Sequence, residues 1–221
     1  IFCEDKRITI KLLNHYNISN KLMSYNEHSD RSTREFIINQ INKGKSISLV
    51  SDAGTPLISD PGYKLIRELK EKNLTVTSCP GPSSPITAIT LAGLPTDKFF
   101  FSGFLPVKSK ARKDYLLKIK NIESTIIFLE SPNRIVKSLE TILEIFGDRN
   151  ISICRELTKK FEEVITLKVS EAIKNLSSRN NIKGEIVIVI EGEVKIDKSQ
   201  NLEAILKDAL KSMSLSDAAR E

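Results

Sequence analysis

The sequence predicts an α/β protein of two domains, with a mostly parallel sheet in the N-terminal half and a mixed sheet in the C-terminal half. Three observations carry this. Strand-like and helix-period segments alternate through residues 1–95, the rhythm of βαβ units. That rhythm breaks over residues 93–115, "GLPTDKFFFSGFLPVKSKARKDY", where an aromatic strand meets a basic helix start. Beyond it, "NISICRE" and "EEVITLKV" follow each other with no helix between them, so antiparallel pairing is expected. The expected division is 1–95, 96–192 and a helical tail over 193–221.

Each element has a local reason. "IFCEDKR" reads as the end of a strand. In "SDRSTREFIINQINKG", Phe36, Ile37 and Ile41 share a helical face, and Gly44 stands just past the end. "KSISLV" is a buried strand. Asp60 is expected as the N-cap of the next helix, with Pro61 in its first turn and Leu65, Ile66 and Leu69 facing inward. "LTVTSC" is expected as a strand, followed by a sharp break and the small-residue helix of "PGPSSPITAITLAGLP". The second half reads as strand "TIIFLE", helix "RIVKSLETILEIFG", the antiparallel pair, helix "SEAIKNLSS" and strand "GEIVIVIEG". "NLEAILKDALKSM" reads as a peripheral amphipathic helix, and "SLSDAARE" as the start of another.

Composition narrows the function classes. With 40% hydrophobic residues in 221, the chain can bury sizeable cores. A formal net charge of +6 suits a polyanionic partner. No apolar run reaches the length of a membrane span, and no signal peptide is visible. Cys3, Cys79 and Cys154 are odd in number and lack metal spacing, which points to a reducing cytoplasm. His15 and His28 have no ligand partners at useful spacing, so no metal is expected.

The loops carry the chemistry. "SDAGTPLISDPG", Ser51 to Gly62, holds two glycines, two prolines and two aspartates between a strand and a helix. "CPGPSSP" follows the neighbouring strand. Ligands of open α/β sheets bind beyond the carboxyl ends of strands, where both loops fall. Glycine permits close backbone approach, proline stiffens the loop, and Asp52 can accept hydrogen bonds from a ribose or an amino group. Neither G-x-x-x-x-G-K-[ST] nor G-x-G-x-x-G is present, so a zwitterionic nucleoside fits better than a polyphosphate. The plain alternative is a pair of tight turns. In the second half, "FLESPNR", "CRELTKK" and "KGEIVIVIEG" gather Glu130, Arg134, Arg155, Glu156, Lys159, Lys160, Lys183, Gly184 and Glu185 at strand ends.

These segments, with "CEDKR" and "PGPSSPITAITLAGLPTDKFFFSGFLP", resemble one family over nearly the whole chain, from Cys3 to about Gly192. It is the bacterial small-subunit ribosomal RNA ribose methyltransferases of the tetrapyrrole (corrin/porphyrin) methylase superfamily. The resemblance implies a two-domain tetrapyrrole-methylase-like fold, usually a homodimer. It implies S-adenosylmethionine as the methyl donor and the 2′-hydroxyl of a cytidine in 16S rRNA as the acceptor. By the same resemblance, Ser51, Asp52, Ala53, Gly54, Thr55, Pro56, Ile58 and Ser59 would line the cofactor site. Phe128, Leu129, Glu130, Ser131 and Gly184 would close it from the second domain. Members of the family begin with a further strand and a Thr-Pro-Ile-Gly-Asn loop that touches the cofactor, and they end in a small basic helical module. Both are expected to lie outside this sequence.

Methyl transfer to a ribose hydroxyl is mainly a matter of alignment, helped by a base or a cation near the developing alkoxide. Glu4, Asp5, Glu130 and Lys159 are the candidates; structural pairing of Glu4 and Asp5 with Arg7 or Arg155 is the alternative. RNA contact is expected from Arg7, Lys108, Lys110, Arg112, Lys113, Arg134, Arg155 and Lys159, which would supply phosphate affinity rather than sequence choice. Rival readings are a tetrapyrrole or diphthine-type methyltransferase, a non-enzymatic RNA-binding module on the same fold, and an α/β protein of other function.

Overall fold

The computed structural model describes residues 1–193 and 210–211, so the expected helices "NLEAILKDALKSM" and "SLSDAARE" lie outside the described residues, Leu210 and Lys211 apart. The N-terminal half contains β1 (Phe2–Cys3), α1 (Lys6–His15), β2 (Met23–Ser24), α2 (Arg31–Asn42), β3 (Leu49–Val50), α3 (Tyr63–Glu71) and α4 (Ser84–Leu91). The C-terminal half contains β4 (Phe99–Phe104), α5 (Ser109–Ile119), β5 (Thr125–Glu130), α6 (Ile135–Phe146), β6 (Asn150–Arg155), β7 (Glu163–Lys168), α7 (Val169–Ser177) and β8 (Ile186–Ile190).

The first sheet is parallel, in the order β2-β1-β3. Its core gathers Phe2, Tyr25, Ile37, Ile38, Leu65 and Leu69. The Asp30 side chain caps α2 by accepting from the Thr33 amide at 2.9 Å, and Gly44 follows the helix with φ 80°. On α2 the inward positions are Ile37 and Ile38, while Phe36 is exposed. A pair between Arg34 Nε and Glu68 Oε1 at 2.6 Å ties α2 to α3. Two local expectations are corrected. Residues 74–79 form no ladder, although Leu74 and Val76 still pack on this core. Helix α3 begins two residues later than expected, with Gly62 rather than Asp60 at the cap. Gly62 has φ 138°, and a Cβ there would sit 2.8 Å from Leu57 Cδ1. The chain turns at the one residue without a side chain, and Asp60 stays in the loop.

The second sheet is mixed, in the order β4-β5-β8-β6-β7. Strands β4 and β5 are parallel; β5–β8, β8–β6 and β6–β7 are antiparallel, as the sequence predicts for the last pair. One face packs on α5, α6 and α7 through Phe128, Leu116, Leu139, Ile142 and Leu176. The other face carries Ile127, Val187, Val189 and Cys154, and α4 lies on it through Ala88, Ile89 and Ala92. A helix from the N-terminal side of residue 95 thus covers the C-terminal sheet.

The β6–β7 pair is clamped by one carboxylate. Glu163 accepts from Arg155 Nε at 3.0 Å and from both terminal nitrogens of Arg179 at 2.8 Å. The Arg179 hydrogen bonds hold the Glu163 carboxyl down to about 2 from its ordinary 4.5, against some desolvation. A depressed carboxylate stabilises the fold above pH 4.5 and loses that contribution as pH falls towards 2. Glu163→Gln is therefore expected to cost about 2 kcal/mol near neutral pH, allowing for its partial exposure. In urea titrations the gap between variant and parent should close below pH 4; a gap independent of pH would refute the clamp.

Candidate active site

Short parallel strands end where the loops begin, so β1 and β3 deliver "EDKR" and "SDAGTPLISDPG" to the same edge. The Asp5 amide donates to Asp52 Oδ1 at 3.1 Å, joining the two segments. Thr55 Oγ1 donates to the Pro82 carbonyl at 2.7 Å, which braces the first glycine loop to the second. The bulge between Phe101 and Gly103 in β4 brings the second sheet close. A Cβ at Gly103 would lie 3.4 Å from Ser59 Oγ. Leu57 and Ser59 take left-handed φ of 75° and 63°, uncommon for residues with side chains. Within the loop Asp52, Ala53, Gly54, Ile58 and Ser59 are exposed, while Ser51, Thr55 and Pro56 are half-buried.

A cavity of about 430 Å³ opens beside Asp52, lined by Glu4, Asp5, Lys6, Ser24, Asn26, Glu27, His28 and Asp52. Four carboxylates face one lysine there, so the site favours a cationic ligand over a phosphate. Sequence reasoning missed Glu27 and His28, and treated His28 as an ordinary surface residue. The available signal was the polar run "YNEHSD" directly after a parallel strand.

The structure separates the four catalytic candidates. The Asp5 carboxylate caps α1 by accepting from the Arg7 amide at 2.8 Å and pairs with the Arg7 guanidinium, which holds it below the usual carboxylate range. Glu130 is buried on the helix side of the second sheet. It accepts from Ser131 N at 2.7 Å, Arg134 Nε at 2.8 Å and Ser138 Oγ at 2.5 Å, so it serves as a structural anchor. Lys159 is bonded to Glu156 at 2.9 Å and to Glu185 at 3.1 Å, and the Glu156 bond keeps it protonated. Glu4 is different. Burial pushes its carboxyl up, and Asp52, Asp60 and Glu27 push the same way against an Asp52 backbone bond. Of the three carboxylates among the four, Glu4 is the one with no ion pair among the described residues.

Other expected site residues move with strand alternation. Phe128 is buried among the helices, on the same face as Glu130, so neither side chain looks toward the glycine loops. Leu129 faces the α4 side, and Ser131 turns back to accept from Arg134 Nε at 3.2 Å. Gly184 is required by a neighbour within the chain. Its φ is 93°, and a Cβ would fall 2.5 Å from Glu156 Oε1. Arg112 is also corrected. It is 6% exposed, and its guanidinium donates to Thr141 Oγ1 at 3.0 Å and to the Val107 and Lys137 carbonyls. That charge serves the α5–α6 contact and is withheld from any outside phosphate. Arg134 and Arg155 are partly engaged by Glu130 and Glu163. Lys108, Lys110 and Arg7 remain exposed, and Lys113 pairs with Glu144 at 2.7 Å.

A family model described as Tetrapyrrole (Corrin/Porphyrin) Methylases matches residues 1–173. The chain belongs to the tetrapyrrole methylase family. It is 47% identical over 211 residues to "Ribosomal RNA small subunit methyltransferase I" of Rickettsia prowazekii (strain Madrid E), covering 95% of this chain and 75% of that one. It is 42% identical over 193 residues to the protein of the same name in Thermotoga maritima, covering 87% of this chain and 86% of that one. Among solved structures of the family fold, diphthine synthase superposes with TM-score 0.62 at 14% identity, covering 86% of this chain and 78% of that one. A uroporphyrin-III C-methyl transferase from Thermus thermophilus, complexed with S-adenyl homocysteine, gives TM-score 0.55 at 14% identity, with 87% and 84% covered. These two likenesses establish the fold alone.

For this family member the close contact at Gly184 can be tested against a matched control. Gly44 also has positive φ, at 80°, but a Cβ there meets nothing. Gly44→Ala should cost about 1 kcal/mol of backbone strain. Gly184→Ala should cost about 1–2 kcal/mol more, since Glu156 must leave Lys159 and Glu185. Urea denaturation of both variants reads the difference, and equal losses would refute the contact.

Proposed function

We propose that this chain transfers the methyl group of S-adenosylmethionine to the 2′-hydroxyl of a cytidine ribose in the 16S rRNA of the small ribosomal subunit, as a cytoplasmic homodimer. The observation that carries the reading is the 47% identity to a ribosomal RNA small subunit methyltransferase I across 95% of the chain. The cross-braced glycine loops and the acidic cavity beside them support it.

The residues present fit such a donor. Asp52, Ala53 and Gly54 offer a carboxylate and exposed backbone to the ribose and amino groups of a nucleoside. The carboxylates of Glu4, Glu27 and Asp52 favour a positive ligand. When bound, the donor supplies an electrophilic methyl carbon and a neutral thioether leaving group. The braced loops hold the reacting groups in line, where most of the acceleration of such a displacement arises. Glu4, with its raised pKa, takes the proton of the ribose hydroxyl. The exposed Lys108, Lys110 and Arg7 give phosphate affinity. A tetrapyrrole or diphthine-type activity would use the same fold, but the sequence identity favours the RNA substrate.

Isothermal titration with S-adenosylmethionine, together with transfer of labelled methyl to unmethylated small subunits, tests the reading. The parent should bind and transfer, and Asp52→Ala should weaken donor binding at least about tenfold. Donor binding with no transfer to RNA would sink the proposed substrate. For Glu4→Gln, kcat should fall about a hundredfold with donor binding retained. The parent's rate should rise with pH through a value above the ordinary 4.5 of a glutamate, because Glu4 acts only when deprotonated. An unchanged kcat would remove Glu4 as the proton acceptor.

A further inference from the structure

Resting on the RNA reading above, we propose that Phe161 is a stacking platform for an unpaired nucleobase close to the target nucleotide, with Lys160 over one face of the ring for the flanking phosphate and the other face for the base. Phe161 lies in the connection between β6 and β7 and is 65% exposed. It belongs to none of the apolar clusters, although the neighbouring Leu157 packs inward. An exposed phenylalanine on a loose loop would mean little. This loop is held firmly. The Glu156 amide donates to the Glu185 carbonyl at 2.9 Å, and the Glu185 amide donates back to Glu156 Oε1 at 3.0 Å. The Thr158 amide donates to Glu162 Oε2 at 2.6 Å, and the Glu162 amide to the Lys159 carbonyl at 3.1 Å. Glu156 and Thr158 take left-handed φ of 51° and 63°, strain that the surrounding bonds sustain.

The result is a fixed turn that presents an aromatic ring to solvent. Lys160 Nζ stands 5.6 Å from the ring centroid, and Lys159 and Lys183 are exposed nearby in the chain or across the strand ends. Single-stranded RNA is read by this combination: a π-face for a base, with cations for the backbone. The exposed Phe99, Phe100 and Phe104 run along the edge strand β4, and no cation is recorded over their rings among the described residues. The turn also leaves β6 at the same sheet end as the β4 and β5 exits, where residues 105–108 and 131–134 emerge. A ring already in place loses little freedom on binding.

The chain has no tryptophan, so Phe161→Trp introduces a single indole as a reporter. The probe is a short single-stranded oligoribonucleotide rich in cytidine, beside an abasic oligomer of equal length and charge. Base-dependent quenching of the indole, absent with the abasic oligomer, is the expected result. Phe161→Ala should weaken binding of the base-bearing oligomer about tenfold, Phe161→Tyr should retain it, and neither should change the salt slope. Equal quenching by both oligomers, or RNA binding with no quenching, would overturn the proposal. A blue shift that grows with protein concentration without RNA would overturn it in favour of a contact with a second copy. If base-dependent quenching holds while small subunits accept no methyl group, the stacking site stands and the proposed reaction falls.

Discussion

The seat of α4 on the five-stranded sheet governs the geometry of the whole site. Ala88 and Ala92 are fully buried there beside Ile89, and their small side chains let the helix backbone approach Ile127, Val187 and Val189. Polar ties fix its height. Thr166 Oγ1 donates to the Ala92 carbonyl at 2.9 Å, and Thr125 Oγ1 to the Pro95 carbonyl at 2.6 Å. The loop 79–83 runs directly into this helix, so its position is set by the C-terminal sheet. Thr55 then passes that position on to the loop 51–62 through Pro82. An N-terminal loop is thus located by packing on strands that come much later in the chain, through contacts such as Thr166–Ala92, 74 residues apart.

Rigidity at the loops is obtained against a local cost. Left-handed Leu57 and Ser59 each carry about 1 kcal/mol of strain. Gly62 offsets the crowding, since its missing Cβ makes room for the Leu57 and Leu49 side chains. The Thr55–Pro82 bond and the room left at Gly62 hold the loop in this shape without a ligand, so a ligand bound there would need to supply little ordering. The same logic recurs across the second sheet, where Gly184 makes room for Glu156 and Glu156 holds Lys159. In both places a glycine serves a neighbouring side chain of the same chain, which is a different use from close approach to a ligand.

Much of this was legible in the residues. The βαβ rhythm gave the parallel sheet, and the missing helix before "EEVITLKV" gave the antiparallel pair. The loop 51–62 falls at the end of β3 as expected, whereas the loop 79–83 follows a segment that forms no strand. What was not legible has physical causes. "TIIFLE" is buried on both faces, so its pattern cannot tell which face looks at the site, and Phe128 and Glu130 turn out to face the helices. "LTVTSC" alternates like a strand, yet only packing, and no ladder, holds it. Arg112 did carry a signal. It precedes Leu116 and Ile119 by one and two helical turns, which puts it on the buried stripe of α5 despite its basic neighbours.

Charge is distributed against the overall balance. The chain is basic, yet the cavity beside Asp52 is lined mostly by carboxylates; Lys6 and Arg7 are exposed at its edge, and Lys108, Lys110, Lys159 and Lys160 are among the other exposed cations. Burial, with a smaller contribution from neighbouring carboxylates, pushes the Glu4 and Asp60 carboxyls up. Such a cluster is costly for a fold to maintain, and it repels a phosphate backbone while attracting a cation. Under the proposed reaction a polyanion would meet the exposed lysines and Arg7 first, and an uncharged group such as a sugar hydroxyl would be the part best able to approach Glu4. In that reaction one pocket has to serve a cationic nucleoside and an anionic polymer at once, and carboxylates within it with cations around them suit both.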